Sequence, residues 1–340
     1  MKNVALIGIG KMGLSHFAIA NSTQGLNVVA VCDTSKPLLR AIKKNLGLKS
    51  YNDYNEMIEK ETLDAVIVSV PNAMHFNVVL KCLKAGVDVF IEKPLTIKYQ
   101  ESLELQKVAM QHNRIVQVGF VNRFSLVFSK VKELLDNNLL GRLISYKSEM
   151  RGGVVLEESS KGWRNSYAAG GGCLYDFGPH CIDLAVYLFG EDIKLKSSKL
   201  ESVFSTVVDD RVIATLEHDN GLEGHLSVDW SDDSVRKATN SIHVKGEFGE
   251  LVANKQEIKF SLTNANEELG FMKGEHEVYV TDLDTDVGYY LRGEDFSLQM
   301  QAFSNALNGI DTPIQSLIDS AIVTDRIISE ILSQNGVENG

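Results

Sequence analysis

Short apolar segments rich in β-branched residues alternate with longer amphipathic stretches over roughly the first third of the chain. The apolar segments predict strands at residues 4–7, 28–31, 65–70, 87–91 and 115–118. The stretches between them predict helices at residues 12–22, 36–46, 53–60, 73–85 and 99–113. This alternation is typical of an α/β domain with a doubly wound parallel sheet.

Strand-like segments dominate the rest of the chain, after a predicted helix at residues 126–137. They lie at residues 142–150, 201–208, 211–218, 224–230, 241–244 and 277–280. Turn signals such as Asp209-Asp210 and Asp219-Asn220-Gly221 join several of them, so a mostly antiparallel sheet is expected. Two helices, at about 294–308 and 316–333, follow.

The change of pattern predicts two domains, residues 1–120 and residues 121–340. The chain of 340 residues is long enough for both to have their own core. We see no repeat or flexible linker between them. The last helix is a candidate to pack on the first domain.

Composition excludes several classes of partner. The formal charge of -11 disfavours nucleic acid and acidic membrane surfaces, since both are polyanionic. No apolar stretch reaches membrane-spanning length, so a cytoplasmic protein is expected. The four cysteines lack CxxC spacing, and we assign them neither a metal nor a disulfide.

The first predicted strand runs into a GxGxxG motif at residues 8–13, which opens the first predicted helix. Gly8 would permit the tight turn, Gly10 the approach of a pyrophosphate, and Gly13 the packing of helix on strand. The helix N-terminus supplies backbone N–H groups for the anion. The motif predicts a dinucleotide-binding Rossmann domain, with these cofactor contacts: Gly8, Ile9, Gly10, Lys11, Met12 and Gly13.

An acidic residue, Asp33, follows the second predicted strand and lies 20 residues after Gly13. Its carboxylate can accept hydrogen bonds from the adenosine ribose and would repel a 2'-phosphate, so it favours NAD. Alternatively, Asp33 only caps the helix that begins near Lys36. Thr34, a further cofactor candidate, would with Ser35 and Lys36 accommodate NADP if Asp33 turned away.

A proline-fixed turn, Val70-Pro71-Asn72, follows the strand at residues 65–70. Asn72 is expected to cap the next helix and face the cofactor. His75 is either a further cofactor contact or a surface histidine. We include Val70, Pro71, Asn72 and His75 among the predicted cofactor contacts.

The sequence Glu92-Lys93-Pro94 ends the strand at residues 87–91. It therefore emerges at the edge where open α/β sheets bind ligands. Lys93 could donate to a ribose hydroxyl and to the oxygen of a reacting alcohol or carbonyl, and Glu92 and Lys93 are both included among the predicted cofactor contacts. The alternative is a solvated lysine paired with Glu92.

Asp176, His180 and Asp183 follow a triple glycine with spacings that place all three on one face of a helix. Histidine suits the transfer of a hydroxyl proton near neutral pH, and Asp176 could orient it or bind substrate. Pro179 would delay or kink the helix. A glycine-rich turn with a capping aspartate and a structural histidine is the alternative.

Taken together, these motifs resemble the glucose-fructose oxidoreductase, inositol dehydrogenase and rhizopine catabolism (GFO/IDH/MocA) family. The resemblance covers most of the chain and extends to residues 117–124 and to Lys161-Gly162-Trp163-Arg164. It implies a Rossmann domain and a C-terminal α+β domain built on an open sheet. Because that sheet often mediates oligomerisation in the family, a homodimer or homotetramer is implied.

The resemblance also implies an NAD(P)-dependent enzyme that moves a hydride between nicotinamide and a hydroxyl or keto carbon of a sugar, polyol or sugar derivative. Lys93, Asp176 and His180 map onto the catalytic trio of the family's polyol dehydrogenases, and the lysine–proline bond is often cis. In this interpretation His180 is the acid/base, Lys93 polarises the reacting oxygen, and Asp176 positions His180 or a substrate hydroxyl. Candidate substrate contacts are Lys93, Asn122, Arg123, Trp163, Arg164, Tyr167, Asp176 and His180, and ordinary packing is the alternative for the five that are outside the trio.

Three other functions remain compatible with the sequence: a keto-sugar reductase, a redox-assisted glycosidase of the same family, and a nucleotide-sensing regulator without turnover. The joint presence of Lys93, Asp176 and His180 argues against a regulator, because a sensor needs no proton transfer.

Overall fold

The computed structural model describes residues 1–158, 162–283, 285, 287–310 and 317–337. Lys161 and residue 316, which entered the sequence predictions, lie outside this range. The chain forms two compact units: Met1–Val121 with Asp286–Ile322, and Asn122–Thr285 with Val323–Gly340.

A six-stranded parallel sheet forms the centre of the first unit, with strand order β3-β2-β1-β4-β5-β6. The strands are β1 (Lys2–Ile7), β2 (Leu26–Cys32), β3 (Lys49–Tyr51), β4 (Ala65–Val68), β5 (Asp88–Ile91) and β6 (Val116–Val118). The helices are α1 (Lys11–Ser22), α2 (Lys36–Leu46), α3 (Tyr54–Lys60), α4 (His75–Lys84), α5 (Tyr99–His112) and, late in the chain, α9 (Glu294–Leu307). The order reverses between β1 and β4, the position at which doubly wound sheets bind ligands.

The residues of β1 alternate between two buried cores. Val4 and Leu6 belong to one core, which also contains Phe303 of α9. Ala5 and Ile7 belong to the other, which also contains Val78 of α4 and Leu105 of α5. Burial on both faces explains why the strand is an unbroken apolar run.

An eight-stranded sheet with order β14-β13-β12-β11-β7-β10-β9-β8 forms the second unit. Its strands are β7 (Leu143–Arg151), β8 (Ile193–Glu201), β9 (Arg211–His218), β10 (Glu223–Asp229), β11 (Thr239–Gly246), β12 (Gly249–Asn254), β13 (Glu257–Leu262) and β14 (Gly274–Tyr279). Every pairing is antiparallel except that of β10 with β7. The predicted fold class, a Rossmann sheet followed by an α+β unit with a mostly antiparallel sheet, is confirmed.

Helices cover one face of this second sheet. They are α6 (Leu126–Asp136), α7 (Cys173–Asp176) and α8 (Gly178–Phe189). The last helix, α10 (Ile318–Gln334), begins in the first unit and ends in the second. In β9, Val212, Ala214 and Leu216 are buried while Ile213 between them is exposed. Alternate burial of this kind is typical of a sheet with one open face.

One predicted strand, residues 201–208, is wrong. Strand β8 ends at Glu201, and the next residues form a loop around the carboxylate of Asp210. One oxygen of that carboxylate accepts hydrogen bonds from the backbone N–H groups of Val203, Phe204 and Ser205 at 2.6–2.8 Å. A side chain thus takes the backbone donors that a strand would have used.

Among the described residues, no helix has both the length and the apolar character needed to cross a membrane. All four cysteines are buried free thiols.

Candidate functional site

The glycine-rich loop connects β1 to α1 at the reversal of the strand order. Gly8 has φ +89°, and a Cβ added to it would lie 2.3 Å from the Ser69 carbonyl oxygen. A Cβ on Gly13 would lie 2.0 Å from the Gly8 carbonyl oxygen. Both residues must be glycine for the loop to close, whatever binds there.

Gly10 differs from the other two glycines. It has an ordinary φ of -70°, and an added Cβ would meet no atom within 4 Å. Its backbone precedes Lys11 and Met12, the first residues of α1, whose N-terminal N–H groups suit an anion. The fold itself does not require a glycine here, so the open space beside Gly10 fits the approach of a dinucleotide pyrophosphate.

We therefore expect Gly10→Ala and Gly13→Ala to fail in different ways. Gly13→Ala should lower the free energy of unfolding by about 1–3 kcal/mol or more, because backbone atoms must move to make room for the added Cβ. Gly10→Ala should cost at most about 1 kcal/mol, the usual cost of alanine at a helix N-cap. It should nevertheless weaken NADH binding by at least about tenfold, equivalent to about 1.4 kcal/mol.

Urea unfolding without cofactor and a fluorescence titration with NADH measure the two effects. Wild-type NADH affinity in Gly10→Ala would contradict the assignment of this space to the cofactor.

Asp33 follows β2 and contacts the glycine-rich loop directly. One carboxylate oxygen accepts a hydrogen bond from the Ile9 N–H at 2.7 Å, and the other accepts one from the Ser35 N–H at 2.8 Å. Ser35, not Asp33, is the N-cap of α2. Each carboxylate oxygen can accept a second bond, so Asp33 can still receive the ribose hydroxyls. Thr34 beside it is exposed.

His75 connects the two loops that follow β4 and β5. It is fully buried, with Nδ1 2.7 Å from the Pro94 carbonyl oxygen and Nε2 3.1 Å from that of Val70. Burial lowers its pKa. Since no surface of His75 is exposed, it is not a surface histidine; it joins the two loops, and its contact with the cofactor stays a prediction. The predicted cap is also wrong: Asn72 begins a 3-10 turn after Pro71 and does not cap α4.

Glu92, next to Lys93, is held by a histidine that the sequence predictions missed. His16 of α1 is fully buried, and its Nε2 lies 2.7 Å from Oε1 of Glu92. The sequence feature that could have identified His16 is its spacing, three residues after Gly13 and three before Ile19, which places it on the buried face of α1. Lys93 itself is partly exposed, and the Lys93–Pro94 peptide bond is cis.

In the second unit, the helix predicted to carry Asp176, His180 and Asp183 is interrupted. Asp176 ends α7, and α8 begins at Gly178 with Pro179 in its first turn. Asp176 and His180 are both partly exposed, whereas Asp183 is buried. The three residues therefore do not form one accessible face.

Asp183 instead pairs with Arg123. The guanidinium Nε and Nη2 lie 3.0 and 2.7 Å from Oδ1 of the carboxylate, and both side chains are almost fully buried. Asn122 is also buried, and its side-chain amide donates to the His180 carbonyl oxygen at 3.3 Å. Asn122 and Arg123 thus have structural partners in the second unit, as the packing alternative expects, and their contact with a substrate stays a prediction.

Breaking the buried pair between Arg123 and Asp183 should destabilise the protein. We expect Arg123→Met to lower the free energy of unfolding by about 3–5 kcal/mol, because it leaves the Asp183 charge buried and unpaired. The double variant Arg123→Met, Asp183→Leu should recover much of the loss, because no charge then remains. Urea unfolding measures both, and a single variant as stable as the wild type would contradict the role.

Arg164 contacts Asp176. Its Nε lies 3.5 Å from Oδ2 of Asp176, and its Cζ lies over the Trp163 ring, 4.5 Å from the centroid. Tyr167 has a different environment, since its hydroxyl accepts a hydrogen bond from the Asp209 N–H at 3.0 Å. Burial raises the pKa of the Asp209 carboxyl to about 6. The structure thus brings Arg164 to Asp176 and stacks Trp163 on Arg164, while Tyr167 supports the neighbouring loop.

Comparison with known proteins identifies the relatives of both units. The family model described as the oxidoreductase family with an NAD-binding Rossmann fold matches residues 2–120, and the GFO/IDH/MocA C-terminal domain model matches residues 128–252. A scyllo-inositol 2-dehydrogenase (NAD(+)) from Bacillus subtilis strain 168 is 26% identical over 99% of this chain and 94% of its own length. A myo-inositol 2-dehydrogenase from Thermotoga maritima is also 26% identical, over 86% of this chain and 89% of its own.

A solved structure, levoglucosan dehydrogenase in complex with NADH and levoglucosan, has the same fold. It superposes with a TM-score of 0.85 at 20% identity and covers 98% of this chain and 97% of that one. The first family model names NAD, the cofactor predicted from Asp33. Because the two family models together span most of the chain, the resemblance noted in the sequence is confirmed: the protein belongs to the GFO/IDH/MocA family of oxidoreductases.

Proposed function

We propose that the protein is an NAD-dependent dehydrogenase that oxidises a hydroxyl-bearing carbon of a sugar, polyol or sugar derivative, or reduces the corresponding ketone. The observation that carries the proposal is the glycine loop with Asp33 bonded to it, which fits a dinucleotide, in a chain that also has Lys93, Asp176 and His180. The inositol dehydrogenases among its relatives support a cyclic polyol or sugar as the substrate class.

In the proposed mechanism, each group of the trio has one task. His180 accepts the proton of the reacting hydroxyl during oxidation and returns it during reduction. The Lys93 ammonium donates a hydrogen bond to the same oxygen and favours the charge that develops on it. Asp176, paired with Arg164, orients His180 or a neighbouring substrate hydroxyl. NAD, held by residues 8–13, Asp33 and the loop at residues 70–72, supplies the hydride acceptor when bound.

A substrate screen tests this function. Polyols, aldoses, uronates and nucleotide sugars are each incubated with NAD and with NADP, and absorbance in the reduced-nicotinamide band is followed. Net formation of NADH from a polyol or sugar supports the proposal. Consumption of NADH with keto sugars only indicates a reductase, and glycoside cleavage without net NADH indicates redox-assisted hydrolysis. Tight NADH binding without turnover of any substrate indicates a sensor.

Two further features belong to the proposal. We expect a cytoplasmic protein, where NAD is available, and a homodimer or homotetramer formed through the open face of the second sheet. The family resemblance supports such an interface, and the exposed apolar side chains Ile213 and Val252 lie on that sheet. Light scattering after size exclusion measures the assembly, and a monomer at micromolar concentration would contradict it.

A further inference from the structure

A cavity of about 400 Å³ lies in the second unit, beside the Arg164 side chain that pairs with Asp176. Among the described residues it is lined by residues 154–157, Arg164, Asn165, Ser205 and Trp230. Arg164 belongs both to this lining and to the ion pair with Asp176. A molecule whose reacting ring lies at Asp176 and His180 could therefore extend past Arg164 into the cavity.

Apolar side chains make up half of the described lining, namely Val154, Val155, Leu156 and Trp230. Val154 and Leu156 are 41% and 47% exposed, which is unusual for large apolar side chains within a concave surface. Concave apolar surface of this kind is typical of ligand sites. The occupant that suits it has an apolar face of its own.

Two polar groups in the lining already have partners. The Trp230 indole N–H and the Ser205 hydroxyl both donate to Oδ1 of Asp210, each at 2.6 Å. Their donor hydrogens are thus used within the protein. A second sugar ring, with several hydroxyls to satisfy, fits this lining less well than an aromatic group, because unpaired buried hydroxyls are costly.

The charges at the cavity disfavour an anionic occupant. Arg164 is paired with Asp176 and stacked on Trp163, and Glu157 contributes the opposite charge to the lining. Because the Arg164 charge is already paired with Asp176, the Glu157 carboxylate makes the lining unfavourable for a phosphate or a carboxylate.

We propose that this cavity binds the uncharged aromatic aglycone of a glycoside, whose sugar ring is the substrate of the enzyme. The inference rests on the proposed function, since it places the sugar ring at Asp176 and His180. It narrows the substrate class from free polyols and sugars to aryl glycosides.

Ligand-observed saturation-transfer NMR on the NAD-loaded full chain tests the inference without requiring turnover. Phenyl and methyl glucopyranosides and galactopyranosides of both anomeric configurations are compared, with cellobiose as the two-sugar ligand. We expect at least one phenyl glycoside to bind about tenfold or more tighter than its methyl counterpart, as burial of a ring's apolar surface predicts. Its aromatic protons should receive the strongest saturation.

Leu156→Asp places a charge in the apolar wall and should remove the phenyl preference. Leu103→Asp is the matched control, since Leu103 is similarly exposed at 39% but lies on α5, outside the cavity, and should behave like the wild type. Equal affinity for phenyl and methyl glycosides, tighter binding of cellobiose, no glycoside binding at all, or an unchanged preference in Leu156→Asp would each overturn the inference. NADH formation from a simple polyol would leave the proposed function intact in every one of these cases.

Discussion

Replacing Lys93 with methionine is expected to lower kcat for alcohol oxidation by about 100- to 1,000-fold, the usual effect of removing one donor to a developing oxyanion. Methionine retains the length and apolar stem of the side chain but removes the ammonium. The loop itself should persist, because His16 holds Glu92 and His75 holds the Pro94 carbonyl. Cofactor binding should therefore change by less than about threefold, under 1 kcal/mol.

Steady-state kinetics with the substrate found in the screen and a fluorescence titration with NADH measure the two quantities. Lys98→Met is the matched control, because Lys98 is an exposed lysine on the same segment. A fully active Lys93→Met enzyme would remove this lysine from the mechanism. Loss of NADH binding equal to the loss of activity would instead make Lys93 a cofactor ligand only.

Replacing His180 with asparagine should lower kcat by about 100- to 10,000-fold, the range attributed to a positioned general acid or base. Asparagine can still hydrogen-bond to the substrate oxygen but cannot take its proton. The backbone of residue 180 should keep its place, since Asn122 binds the carbonyl oxygen of this residue and not its ring. The KM for substrate should consequently change much less than kcat.

Exposed His112, at the end of α5, provides the control His112→Asn, which should retain wild-type kcat. If His180→Asn lowered kcat no more than this control, the proton would have to pass to another group. If it raised KM and left kcat unchanged, His180 would be a binding residue only.

The sequence was most informative where local pattern alone determines structure. The apolar run of β1 and the glycines after it identified the nucleotide-binding loop, because the tight turn and the buried strand both depend on nearby residues. Strands β3, β8, β12 and β13 were not predicted. In β8, for example, lysines and serines outnumber the apolar residues, so the strand becomes evident only from its pairing with β9.

Long-range partners could not be derived from the sequence. Arg123 was a candidate substrate contact and Asp183 was expected to share a helix face with His180, and only the fold shows that the two pair in a buried position. His75 was ambiguous for the same reason, since the two carbonyl oxygens that face it belong to loops after different strands. Within the candidate site, the motifs identified residues with suitable chemistry. Only the tertiary contacts show which of these residues are exposed and which are buried against structural partners.

The path of the chain through the two units limits how the nucleotide-binding half can be isolated. Met300, Phe303 and Leu307 complete one core of the Rossmann sheet, and Ile318, Ala321 and Ile322 complete the other. A fragment that stops at Val121 would lack all six and leave apolar surface on both sides of the sheet uncovered. An autonomous cofactor-binding module would instead have to be engineered by splicing residues 286–322 onto the N-terminal 121 through a new linker.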